Sequence, residues 1–95
     1  MEITSSSNTI EITGNIKSIN HLSEIKNLVD SVVTQHRNIV IHITDSLSIT
    51  SSVIGYFNKL ILKDHINIEM RIGNDQLMHL LNDLNLASTF KARKV

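Results

Sequence analysis

Two hydrophobic periods alternate along the chain. Thr9-Ile10-Glu11-Ile12-Thr13 places β-branched apolar residues at every second position, the pattern of a half-buried strand. Glu2 to Thr4 predicts a weaker strand ahead of it, and Ser5-Ser6-Ser7-Asn8 between the two predicts a hairpin turn. The period then changes. Ile19, Leu22, Ile25, Leu28, Val29, Val32 and Val33 recur three and four apart and predict an amphipathic helix from about Asn20 to Gln35, capped by Ser18 or Asn20. Ile39-Val40-Ile41-His42-Ile43 is nearly continuous and β-branched, which suits a central strand covered on both faces. Val53, Ile54, Phe57, Leu60 and Ile61 return to helical spacing, giving a second helix from about Ser51 to Lys63. Ile66, Ile68, Met70 and Ile72 alternate with Asn67, Glu69 and Arg71 as in a strand. Gly73-Asn74-Asp75 makes a turn in which Asn74 or Asp75 can cap a third, short helix carried by Leu77, Leu80, Leu81 and Leu84. Thr89-Phe90-Lys91-Ala92 is the candidate for a last strand.

The order is β-β-α-β-α-β-α-β. Strands alternating with helices imply right-handed crossovers and a parallel arrangement. The expected fold is therefore α/β: a mostly parallel sheet of four to five strands, an N-terminal β-hairpin, and helices packed on the sheet. At 95 residues the chain suffices for one domain, spanning residues 1–95.

Composition narrows the function. With 41% hydrophobic residues the chain can build a core, so a disordered tail is not expected. Nine basic residues balance nine acidic ones, which argues against a nucleic-acid binder working by phosphate neutralisation. The lack of cysteine excludes disulfides, a cysteine zinc site and a thiol nucleophile. No apolar run is long enough to cross a bilayer, so membrane insertion is not expected. Met1-Glu2-Ile3-Thr4 does not have the character of a signal peptide, and a cytoplasmic location is expected.

Candidate chemistry gathers after the third strand. The loop Thr44-Asp45-Ser46-Leu47-Ser48-Ile49-Thr50 leaves the C-terminal end of a central strand and enters a helix at Ser51-Ser52. Ligands of open α/β sheets collect at that edge, and helix N-termini present free N–H groups and a positive dipole end. A hydroxyl there can cap the helix, bind an anion or carry a phosphate. From the residue types alone, plain capping is the simplest account of Thr50-Ser51-Ser52.

The stretch from Ile39 through Thr50-Ser51-Ser52-Val53-Ile54-Gly55 resembles the signature of STAS domains, the anti-sigma factor antagonist family. There an apolar strand leads to an Asp-Ser-Ser/Thr-Gly-Leu-Gly motif that opens the second helix. Asn67 to Ile72, Asn74 to Leu86 and Phe90 match the family's later strand, helix and aromatic position, so the resemblance covers nearly the whole chain. Thr50 stands where the family has aspartate and Val53 where it has its first motif glycine. The resemblance implies a STAS-like fold and a regulatory protein-binding module without enzymatic activity or cofactor. It implies Ser51 as the phosphorylation site, with Ser52 as the neighbouring alternative. The implied partners are a GHKL-type serine kinase/anti-sigma factor, which binds the dephosphorylated form and phosphorylates it, and a PP2C-type phosphatase. The contact surface would be the second helix and the loop before it: Asp45, Thr50, Ser52, Ile54, Tyr56 and Lys59. Tyr56 is expected to be an exposed anchor, and Val53 to add bulk where the partner approaches. The alternative is a STAS-like accessory subunit of a lipid-transport ABC complex, without a phosphorylation cycle.

Other constellations are weaker. His21, His36, His42, His65 and His79 show no metal-ligand spacing, and no metal site is expected. His42, inside the central strand, is expected to be buried and hydrogen-bonded. Ser51, His42 and Asp45 lack the elbow motif of a nucleophilic serine. Three glycines do not make a phosphate loop. The basic Lys91-Ala92-Arg93-Lys94 has the character of a solvated end.

Overall fold

A computed structural model describes residues 1–95. The elements are β1 (Glu2–Ser6), β2 (Thr9–Thr13), α1 (Ile19–Val33), β3 (Asn38–Ile43), α2 (Ser51–Leu62), β4 (Asn67–Ile72), α3 (Asp75–Asp83) and β5 (Arg93–Lys94). The hairpin loop shortens to Ser7-Asn8, with Ser7 at φ 55° and Ser6 opposite Thr9. The five strands form one mixed sheet in the order β1-β2-β3-β4-β5. The β1–β2 pair is antiparallel; the other three pairings are parallel.

That order rises without reversal. Right-handed crossovers made in one direction deliver every helix to the same side of the sheet. Burial follows this. Ile10 and Ile12 of β2, Ile39, Ile41 and Ile43 of β3, and Ile68, Met70 and Ile72 of β4 all join one apolar cluster with the inward residues of the three helices. Phe57 and Phe90 anchor it edge to face, their ring centroids 6.2 Å apart at 81°.

Four expectations change here. The third strand is covered on one face only. Val40 and His42 point to the other face and are half-exposed, because no helix crosses there. His42 is accordingly not a buried histidine; its Nδ1 lies 3.6 Å from Glu11 on the open face. Thr89-Phe90-Lys91-Ala92 is a turn, not a strand. Phe90 drops into the core and its carbonyl accepts from the Met70 N–H, so β5 starts only at Arg93. Ile19 lies at the very start of α1 and is 78% exposed, so it leaves the apolar stripe assigned to it. No helix is long and apolar enough to cross a membrane.

Candidate functional site

Because β2, β3 and β4 run parallel, the loops that follow them meet at one edge of the sheet, beside the N-termini of α1, α2 and α3. Each helix begins with a side-chain cap. Ser18 Oγ accepts from the His21 N–H at 3.4 Å, Thr50 Oγ1 from the Val53 N–H at 3.3 Å, and Asn74 Oδ1 from the Leu77 N–H at 3.1 Å. In α1 the cap is reciprocal: His21 Nδ1 accepts from the Ser18 and Lys17 N–H groups. Histidine is an unusual residue for that role, and its spacing from Ser18 is the one sequence signal for it.

The loops after β2 and β3 are stitched together. The Gly14 N–H donates to Asp45 Oδ1 at 2.7 Å, the Ile16 N–H to Ser46 Oγ at 3.0 Å, and the Leu47 N–H to Asn15 Oδ1 at 2.9 Å. Ser46 is fully buried, and its hydroxyl donates in turn to the Ser48 carbonyl at 2.6 Å. Thr44 Oγ1 donates to the Ile12 carbonyl at 3.2 Å. The loop after β4 closes from the other side, where Gly73 lies so close to the Thr44 carbonyl that a Cβ would collide with it. These contacts hold the segment leading to Ser51 in one shape.

Within this frame the predicted residues separate. Thr50 is the cap of α2. Ser51 and Ser52 occupy its first two positions; both are exposed. Capping is thus performed by Thr50 and leaves the Ser51 hydroxyl pointing to solvent, with no acidic residue in the first turn of α2 to offset its positive end. Asp45 is exposed, but its carboxylate is engaged by Gly14 and by the Thr44 hydroxyl. Ile54 is half-buried. Lys59 is exposed beside Asp64 at 3.4 Å, and eight residues of helix put it about 12 Å along the axis from Ser51.

Two residues differ from expectation. Tyr56 is 7% exposed and donates its hydroxyl to Asp30 of α1, so it is not a surface anchor. Burial first, then the hydrogen bond to Asp30 and the charges of Asp30 and Asp64, push its phenol upward from the ordinary 10.0. Val53 is fully buried, so its bulk faces the core and not a partner.

The sequence reading missed two apolar residues at this edge. Leu47, 44% exposed, sits in the loop before α2, and Ile19, 78% exposed, opens α1. The signal for Leu47 was present: it is a lone leucine within an otherwise polar stretch, Thr44 to Ser48. These two residues and the two serines are all exposed in the loops and helix starts at the same end of the sheet. Comparison with protein-family models, curated proteins and solved structures returned no match.

Proposed function

We propose that this chain is a regulatory protein-binding module resembling an anti-sigma factor antagonist, switched by phosphorylation of Ser51 in a partner-switching pathway. One observation carries the reading: Ser51 stands exposed at the first position of α2 while Thr50 already supplies the cap. Its hydroxyl is spare, and a structural duty does not account for it.

The physical chemistry of the switch is local. A phosphate brings about −1.5 to −2 charges at pH 7. At the positive end of α2 it is tolerated, with a gain of roughly 0.3–1 kcal/mol, so the fold survives the modification. At a docked interface the same group must be desolvated. A loss of about 2.7 kcal/mol raises Kd roughly 100-fold, and no rearrangement of the domain is needed. The docking partner would be a GHKL-type serine kinase/anti-sigma factor whose apolar groups cover Leu47 and Ile19. Its ATP supplies the phosphoryl group, and a PP2C-type phosphatase returns it to water.

Purification from the native cells, with phosphopeptide mapping and identification of bound proteins, tests this. The expected result is a phosphate on Ser51 and a GHKL ATPase bound only to the unmodified form. An ABC ATPase bound to a chain that carries no phosphate would replace this reading with that of a transport-complex accessory subunit.

A further inference from the structure

β1 forms one border of the sheet and pairs only with β2. In an antiparallel pair, alternate residues turn their N–H and C=O groups away from the neighbour, so the outer edge of Glu2–Ser6 offers unpaired donors and acceptors. Natural edges are blunted by lysine, proline or a bulge. The sequence Glu-Ile-Thr-Ser-Ser contains neither residue, and its register with β2 runs unbroken from Glu2 opposite Thr13 to Ser6 opposite Thr9.

Beside that edge lies a groove of about 650 Å3 between β1 and α1, lined by Glu2, Ile3, Thr4, Glu24, Asn27 and Leu28. Ile3 and Leu28 form its apolar floor, half-buried against the core. Glu2 and Glu24 are both exposed at its rim, and neither is among the carboxylates paired with a lysine or arginine: those are Asp64, Glu69 and Asp75. An open edge, an apolar floor and two free carboxylates therefore coincide.

The geometry points to a peptide-docking site: an extended segment of another protein, with apolar residues alternating with lysine or arginine, adds to β1 as a sixth strand. Backbone hydrogen bonds to Glu2–Ser6 supply the register. The face of the added strand turned toward α1 places its apolar residues over Ile3 and Leu28, and its basic residues, on the opposite face, answer Glu2. A second copy of β1 is a poorer occupant, because it brings a further Glu2 to a rim already acidic and no lysine or arginine. The site is separate from the loop edge that holds Ser51, since it belongs to β1 and the side of α1.

The test is titration of the isotopically labelled protein with a synthetic hexapeptide alternating lysine and valine, followed by amide chemical shifts and by fluorescence anisotropy. Shifts confined to β1, its β2 partners and the α1 face around Glu24 and Leu28 are expected. The E2K variant, checked for an unchanged circular dichroism spectrum, should bind about threefold more weakly, the loss that one exposed ion pair produces. Equal binding of a hexapeptide alternating glutamate and valine overturns the proposal. So do shifts centred away from β1, the absence of shifts at saturating peptide, or sedimentation showing copies of the chain already paired through this edge.

Discussion

The Tyr56 hydroxyl donates a 2.5 Å hydrogen bond to Asp30 Oδ1, tying the middle of α2 to α1 over the sheet. The phenol is almost fully buried while its acceptor is at the surface, so the pair closes the seam between the two helices from inside. A ring with a satisfied hydroxyl can be buried at little cost, which is why tyrosine serves here. Y56F keeps the ring and removes the bond. It is expected to lower stability by about 1 kcal/mol. In a domain of this size that is a drop in Tm of about 4–8 °C, and Y56A, which also empties the cavity, should cost about 3–5 kcal/mol. Thermal unfolding of both variants measures it; a Y56F curve superimposed on the wild type means the bond contributes nothing.

The same residue sets an alkaline limit. Burial and Asp30 raise the folded-state pKa of Tyr56 above 10.0, whereas the unfolded chain titrates near that ordinary value. Below pH 10 both states hold the proton and the group adds no pH dependence. Above it the unfolded state releases the proton first, and the folded state, holding more protons, is destabilised as pH rises, by at most about 1.4 kcal/mol per pH unit. Urea unfolding between pH 9 and 11 (a range set by the unperturbed tyrosine value) should show a steeper loss for the wild type than for Y56F. Parallel slopes would count against the raised pKa.

Gly73 and Gly55 are expected to respond oppositely to alanine. At Gly73 a Cβ meets the Thr44 backbone, which cannot swing aside as a side chain would. G73A should cost about 1–3 kcal/mol, as overpacking does, and loosen the loop that leads to Ser51. At Gly55, inside α2, nothing lies within 4 Å of the added methyl. G55A should therefore stabilise by about 0.5–1 kcal/mol through helix propensity. Denaturant midpoints for the two variants decide the matter, and equal shifts in the same direction would contradict the packing described.

Ser46 is the buried polar link of the loop edge. Its hydroxyl accepts from Ile16 N–H and donates to Ser48 C=O, and S46A orphans both. The expected cost is about 1–3 kcal/mol. Hydrogen exchange should speed up at the Ile16 amide before it does at the strand amides, because the link opens locally. Exchange at Ile16 unchanged in S46A would remove Ser46 from this role.

How far the sequence could be read follows from what periodicity reports. Alternation at β2 and β4, and the three-and-four spacing of the helices, located every major element to within a few residues, because each element's buried side imprints its own period. Periodicity does not say how many faces of a sheet are covered. The apolar run at Ile39–Ile43 suggested two covers; the unreversed strand order supplies only one, and that is a property of the topology. The position of Tyr56 was legible. It lies three residues after Val53 and four before Leu60, on the buried side of α2, although the stripe traced through Ile54 and Ile61 leaves it out. Thr89-Phe90-Lys91-Ala92 carries no clear period, and Phe90 is a buried plug held in a turn. At the candidate site the sequence located the loop, the cap and the serines. It could not foresee that Asp45 and Ser46 serve the neighbouring loop, since those contacts span 30 residues or more.

Thr50 and Ser51 should separate in their effects although they are adjacent. Thr50 caps α2, so T50A is expected to cost about 0.5–2 kcal/mol of stability, and T50D to restore the cap. Ser51 has no such duty. S51A should leave Tm unchanged, and S51D should leave it equal or slightly higher, because a negative charge at the start of a helix gains roughly 0.3–1 kcal/mol. Binding to the kinase partner is expected to follow the other order: kept in S51A, and weakened by S51D toward the roughly 100-fold that about 2.7 kcal/mol represents. Calorimetric titration of the partner against T50A, S51A and S51D, each also melted on its own, resolves the two roles. Were S51D to bind like the wild type while S51A lost stability, the hydroxyl would be part of the cap and the switch would have to lie elsewhere.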